Sequence, residues 1–125
     1  MLVVDTSVWV AFFRGEPRPA LEDALRVGLV VLPPIVVAEL MSAPLRKRQH
    51  ARLAEVLEGL PLQATPFAHW RAVGELRARL ARAGLSVSSP DAHVAQCALD
   101  LAAPLWSHDA IFARIAALAP LRLVR

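Results

Sequence analysis

The sequence predicts an α/β domain built as a three-layer sandwich, with a central, mostly parallel sheet of four to five short strands and helices on both faces. Three observations lead there. Apolar runs of strand length alternate with segments of helical spacing along the whole chain. Those runs are continuously apolar, as strands covered on both faces are, and do not alternate polar with apolar residues. The chain has 125 residues and no internal repeat, linker or low-complexity stretch, so we expect one domain over residues 1–125.

Each element has its own signal. Leu2-Val3-Val4 is a first buried strand that ends at Asp5. Thr6 and Ser7 can cap a helix from Val8 to Arg14, whose Trp9, Phe12 and Phe13 lie at i, i+3 and i+4. Residues 15–19 break the chain, and Leu21, Ala24 and Leu25 give the segment 20–27 helical spacing. Residues 29–32 form a second strand, which Pro33-Pro34 stops while opening a helix that carries Glu39 and ends near Pro44. Leu53, Val56, Leu57 and Leu60 line one side of a helix over 45–60, and 61–65 is expected as a third strand. The longest helical pattern runs from Phe67 to Ala83 and stops at Gly84. Ser88-Ser89-Pro90-Asp91 starts the next helix, with Ser89 as cap and Pro90 in first position, and it reaches about Leu101. A fourth strand over 104–106, a helix over 110–118 and a last strand over 121–124 complete the chain.

Composition removes several classes of protein. A hydrophobic fraction of 56%, a charged fraction of 20% and a mean hydropathy of +0.45 exclude intrinsic disorder. The charge-free apolar stretch from Gly28 to Ala38 is too short to cross a membrane, and prolines interrupt it. No basic-then-apolar leader precedes Asp5, and Cys97 is the only cysteine, so we expect a cytoplasmic protein without an intrachain disulfide. Thirteen of the fourteen basic residues are arginine, which lifts the sequence pI to about 10.4 on a net charge of only +3. If four acids share one site, the rest of the surface is strongly basic. An acidic pocket on a basic body suits a polyanionic substrate.

Four acids stand where such a pocket would form. Asp5 and Asp109 lie just past strand ends, Asp91 lies in the first turn of a helix, and Glu39 interrupts an apolar helix. In parallel α/β folds, ligands bind beyond the carboxyl ends of the strands. Singly, Asp5 could cap a helix, Asp91 could answer a helix dipole and Asp109 could hold a turn. Together, four carboxylates at one edge repel unless cations neutralise them. Oxygen-only ligands favour Mg²⁺ or Mn²⁺, and two such ions can activate a water and stabilise the leaving oxygen of a phosphodiester. Thr6, Ser7 and Ser107 stand beside these acids, where hydroxyls can orient ligands.

Asp5-Thr6-Ser7 after a first strand, Ala38-Glu39-Leu40, Ser88-Ser89-Pro90-Asp91-Ala92, and Ser107-His108-Asp109 with Phe112 follow in a specific order and spacing. In these motifs the chain resembles the PIN-domain ribonucleases of the VapC toxin type, over essentially its whole length. The resemblance implies a PIN-like sandwich and a Mg²⁺- or Mn²⁺-dependent endoribonuclease, the toxin of a type II toxin–antitoxin module. It also implies that Asp5, Glu39, Asp91 and Asp109 are the catalytic metal ligands, that a cognate antitoxin protein binds the toxin, and that the toxin is a homodimer. The chain departs from the family pattern at Ser107, where Thr or Asn is common, and at Ile111, where a further Asp often stands. A catalytically silent PIN-like domain that binds RNA or protein is the alternative, and the presence of all four acids argues against it.

Other features have competing readings. His93 and Cys97 are spaced i, i+4, as a zinc pair would be, but no second pair completes four ligands and packing is the better reading. His108 could touch phosphate or simply occupy a loop. Arg46, Lys47, Arg48, Arg52, Arg77, Arg79 and Arg82 could grip RNA phosphates or form solvated helix faces. Trp9, Phe12 and Phe13 are expected in the core, with a groove for a partner as the sharper reading.

Overall fold

Residues 1–124 are described in a computed structural model of the chain. In order, the elements are β1 (Leu2–Val4), α1 (Thr6–Phe13), α2 (Pro19–Arg26), β2 (Val30–Val31), α3 (Pro34–Met41), α4 (Lys47–Glu58), α5 (Phe67–Arg82), α6 (Ser89–Leu101), β3 (Leu105–Trp106) and α7 (Ile111–Ala116). The strands form a parallel sheet in the order β2-β1-β3. Val3 of β1 faces Val31 on one side and Leu105 on the other. Val3 and Val4 are both fully buried, and successive strand residues point to opposite faces, so both faces of the sheet are covered.

The sheet is smaller than the sequence predicts. Among the described residues three strands form where four to five were expected. The segments 61–65 and 121–124 contribute one bridge each, Leu32 with Leu62 and Leu105 with Leu123. Leu32 exchanges two backbone bonds with Pro61 and Gln63, at 3.0 and 2.8 Å, before the chain turns away. Pro61 has no N–H for a longer ladder, and Leu62 is 59% exposed, so this edge gains little from extension. Leu105 makes the equivalent pair of bonds with Arg122 and Val124, both at 2.9 Å.

Helix ends also shift. Ser88, one residue earlier than expected, caps α6: its Oγ accepts the Asp91 backbone N–H at 3.2 Å. Pro90 consequently sits in the second helical position, where a missing N–H is still harmless. Asp5 occupies the cap position of α1, and Thr6 and Ser7 fall inside the helix with their hydroxyls free for other work. Gly84 adopts φ +86° just past α5, a conformation that a Cβ would strain.

Trp9, Phe12 and Phe13 belong to the core, which removes the reading of an aromatic groove. They are 0%, 8% and 4% exposed. Trp9 stacks on Phe13 at 5.9 Å, Phe12 meets Phe13 edge-on at 5.1 Å, and the Arg52 guanidinium lies over both phenyl rings. Helix α6 ties the molecule together by packing on β1, α3, α5 and α7. Its first turn is thereby held near the sheet edge where β1 and β3 end.

Candidate active site

The parallel register builds the site. Val4 pairs with Trp106, so Asp5 and Ser107 leave adjacent strands side by side at their carboxyl ends. The Asp5 backbone N–H donates to the Trp106 carbonyl at 2.9 Å. Ser107 Oγ donates to Asp5 Oδ2 at 2.7 Å, and Ser7 Oγ donates to the same oxygen at 2.9 Å. Asp5 is only 7% exposed, and these two hydroxyls are what a buried carboxylate needs. Both hydroxyl oxygens are themselves held by the 107–109 turn. Ser7 Oγ accepts from the His108 N–H and Ser107 Oγ from the Asp109 N–H, each at 2.9 Å.

The remaining acids arrive on helices. Pro34 opens α3 and Val36 and Leu40 anchor it in the core, which leaves Glu39 half-buried at the sheet edge. Thr6 Oγ1 donates to Glu39 Oε1 at 2.8 Å. Asp91 enters on the first turn of α6. Asp109 is exposed, and its Oδ1 accepts the Ile111 N–H at 3.0 Å as α7 begins.

Electrostatics shows that the four acids share one region. Burial raises the Glu39 carboxyl above its ordinary value, the Thr6 hydrogen bond opposes this, and the charges of Asp5 and Asp91 raise it further. Burial likewise raises Asp91; Ser88 opposes, while Asp109 and Asp5 add repulsion. Every one of the four sequence-predicted acids is therefore coupled to at least one other. Their ligand atoms do not gather as tightly as those of His69, His93 and Cys97, which lie within 4.8 Å of one another.

Some of the neighbourhood was not visible in the sequence. Arg18, in the segment expected only to break helices, donates to His108 Nε2 at 3.1 Å and pairs with Glu16 at 3.0 Å. Nothing in the local pattern links positions 90 residues apart. Of the basic residues proposed for RNA, Arg77 is engaged with the Val87 carbonyl at 2.9 Å and Arg52 with the aromatic core. Arg46, Lys47 and Arg48 remain exposed.

Fold and site together define an α/β domain with an oxygen-only acidic centre at the carboxyl edge of a parallel sheet. The PIN-domain family model matches residues 2–118. A VapC ribonuclease of Mycobacterium bovis and ribonuclease VapC11 of Mycobacterium tuberculosis are each 32% identical to this chain over 126 aligned positions, covering 93% of it and 92% of the relative. The chain belongs to the PIN-domain family, in the branch of the VapC ribonucleases. Solved structures share the fold: VapBC2 of Rickettsia felis bound to a promoter DNA fragment has a TM-score of 0.80 at 22% identity, covering 98% of this chain and 96% of that one. DNA-bound VapBC of Salmonella typhimurium has a TM-score of 0.80 at 19% identity with the same coverage.

Proposed function

We propose that this chain is the endoribonuclease toxin of a toxin–antitoxin pair and hydrolyses RNA phosphodiester bonds at the four-carboxylate site. The observation that carries the proposal is the electrostatic coupling of Asp5, Glu39, Asp91 and Asp109 at one sheet edge, in a chain that matches the PIN domain almost end to end.

The donor set fits a hard divalent cation. It is all oxygen, it carries excess negative charge, and burial has already raised two of its members. Asp5, Glu39, Asp91 and Asp109 would hold Mg²⁺ or Mn²⁺, which supplies the positive charge that activates a water and stabilises the leaving oxygen. The chain's own residues set the geometry. Ser7 and Ser107 fix Oδ2 of Asp5, and Thr6 fixes Oε1 of Glu39. Arg18 beside His108 offers a cation to a backbone phosphate at the rim.

The partners in this reading are an RNA substrate, a cognate antitoxin protein and a second copy of the toxin, with the cytoplasm as the place of action. The named relatives are VapC ribonucleases, and the structures of the same fold are VapBC complexes. Among the described residues, no helix is long and apolar enough to cross a membrane. The test is cleavage of RNA by the purified protein with Mg²⁺ or Mn²⁺, with a chelator, and with Asp5→Asn. We expect cleavage in the first case alone. Chelator-resistant cleavage, or full activity in Asp5→Asn, would overturn the assignment.

A further inference from the structure

A second cluster of ligand-type side chains lies between α5 and α6. Asp91 and His93 are two residues apart on α6 and so point to nearly opposite sides of the helix, whereas His93, Cys97 and Asp100 share one face. That face meets α5, from which His69 comes. His69 Nδ1 donates to Asp100 Oδ2 at 2.6 Å, which in the neutral ring leaves the lone pair on Nε2, and that atom lies 2.7 Å from His93 Nδ1. Cys97 Sγ lies 3.8 Å from His93 Nε2 and 4.0 Å from Nδ1. Trp70 stacks on the His93 ring at 4.6 Å with the planes 5° apart.

Two imidazoles and a thiol are a costly way to fill a helix–helix contact. His69, His93 and Cys97 are 3%, 1% and 0% exposed, and a Leu or Val at these positions would bring no polar desolvation. Gln63, 91% buried, donates its Nε2 to the Cys97 carbonyl at 3.1 Å, while its Oε1 has no partner among the described residues. Gln63, Pro66, His69 and Asp100 also line a surface cavity of about 490 Å³, which gives small solutes a way in.

We propose that His69, His93 and Cys97 form a binding site for a thiophilic divalent transition metal, with zinc the best match, and that Asp100 orients His69 for it. The three ligand atoms gather within 4.8 Å, close to what three ligands of a tetrahedral ion require. A carboxylate on the far nitrogen of a ligating histidine is the arrangement by which proteins fix tautomer and ring direction at metal sites. His69 lines the cavity, so a water from that side would be the candidate for the fourth position.

Protons balance as follows. The Cys97 S–H bond gives way to a sulfur–metal bond and its proton goes to solvent. The His93 ring proton that points at His69 moves to the other ring nitrogen, or stays if that nitrogen is the ligand. One proton is released per ion. Burial holds the Cys97 thiol protonated, up at about 12, until a metal displaces that proton. Ligand softness separates this site from the carboxylates, because Mg²⁺ and Mn²⁺ prefer oxygen and zinc accepts sulfur and imidazole. The proposal stands apart from the nuclease reading and does not depend on it.

Co²⁺ is the probe, since a cobalt–thiolate bond gives a ligand-to-metal charge-transfer band that carboxylates cannot produce. Cys97 is the only cysteine, so any such band reports this site. We expect one equivalent of Co²⁺ to produce the band in the full-length protein, one equivalent of Zn²⁺ to abolish it, and a large excess of Mg²⁺ to leave it unchanged. The band should persist in Asp5→Asn with Asp91→Asn, vanish in Cys97→Ser, and require at least tenfold more Co²⁺ in His69→Gln. Absence of the band in the wild-type protein at saturating Co²⁺ would overturn the proposal whether or not the variants fold. So would a band of undiminished affinity in folded His69→Gln.

Discussion

Thr6 Oγ1 donates to Glu39 Oε1 across 2.8 Å, tying the first residue of α1 to α3 over 33 positions of chain. This bond favours the ionised carboxylate and opposes the burial that raises it. Thr6→Val keeps the shape and removes the donor. We expect the Glu39 carboxyl to titrate at higher pH, followed by carboxyl ¹³C NMR, and cleavage to fall roughly tenfold, the worth of about one hydrogen bond to a charged group. Thr6→Ser should restore both; an unmoved titration in Thr6→Val would remove the link between these residues.

Charge removal at the site is the most direct check on the chemistry. Asp5→Asn, Glu39→Gln and Asp91→Asn should each lower the RNA cleavage rate by about a hundredfold or more. Far-UV circular dichroism should stay unchanged. Asp109→Asn should lose less, because Asp109 is exposed and Oδ1 already accepts the Ile111 N–H. An Asp109→Asn loss as deep as that of Asp5→Asn would make it an equal ligand.

Stability should depend on pH in a direction set by Glu39 and Asp91. Both are raised in the fold above their ordinary values of 4.5 and 3.8. The unfolded chain therefore ionises first as pH rises. The ion-free protein has the full benefit below about pH 4 and loses it progressively as pH climbs through the raised folded values. Mg²⁺ binding to the ionised site, as proposed, would add about 2.7 kcal/mol at a hundredfold excess over Kd. Thermal melts should show a larger Mg²⁺ shift at pH 8 than at pH 5, and little in Asp5→Asn with Asp91→Asn. Equal shifts in wild type and double variant would locate the ion elsewhere.

Phe13 tests the aromatic core. Its ring is 4% exposed, stacked on Trp9 and covered by Arg52. Phe13→Ala should cost about 3–5 kcal/mol in urea unfolding. Phe13→Asp should largely unfold the chain, so any loss of antitoxin binding would follow the loss of fold. A folded Phe13→Asp that fails to bind would instead restore a groove at this position.

The positions of the acids at one sheet edge follow from sequence signals: Asp5 and Asp109 come just after apolar runs, Glu39 interrupts one, and the Ser88-Ser89-Pro90 start sets Asp91 in the first turn of a helix. Burial and the parallel register then do the rest, as Asp5 and Ser107 show. The outer strands were not legible. Leu62 and Leu123 sit in apolar segments, but each pairs only once, and Pro61 limits one edge in a way apolarity does not encode. The cap of α6 was misplaced by one residue, since Ser88 and Ser89 carry the same chemistry and only backbone angles separate them. The partner of His93 was invisible for another reason. His69 lies 24 residues away on a different helix, and only the packing of α5 on α6 brings the rings together.

The clasp on Asp5 has a consequence for biosynthesis. Ser107 reaches Asp5 across 102 residues, and the His108 amide that steadies Ser7 lies a further residue along. A nascent chain still short of this turn holds Asp5 without Ser107 and lacks Asp109 altogether. In the proposed reading cutting requires this turn, so a ribosome stalled before it would expose the cell to no active nuclease. Fragments ending at Trp106 should bind no Mg²⁺ in a melt and cleave no RNA, however much of the chain precedes them.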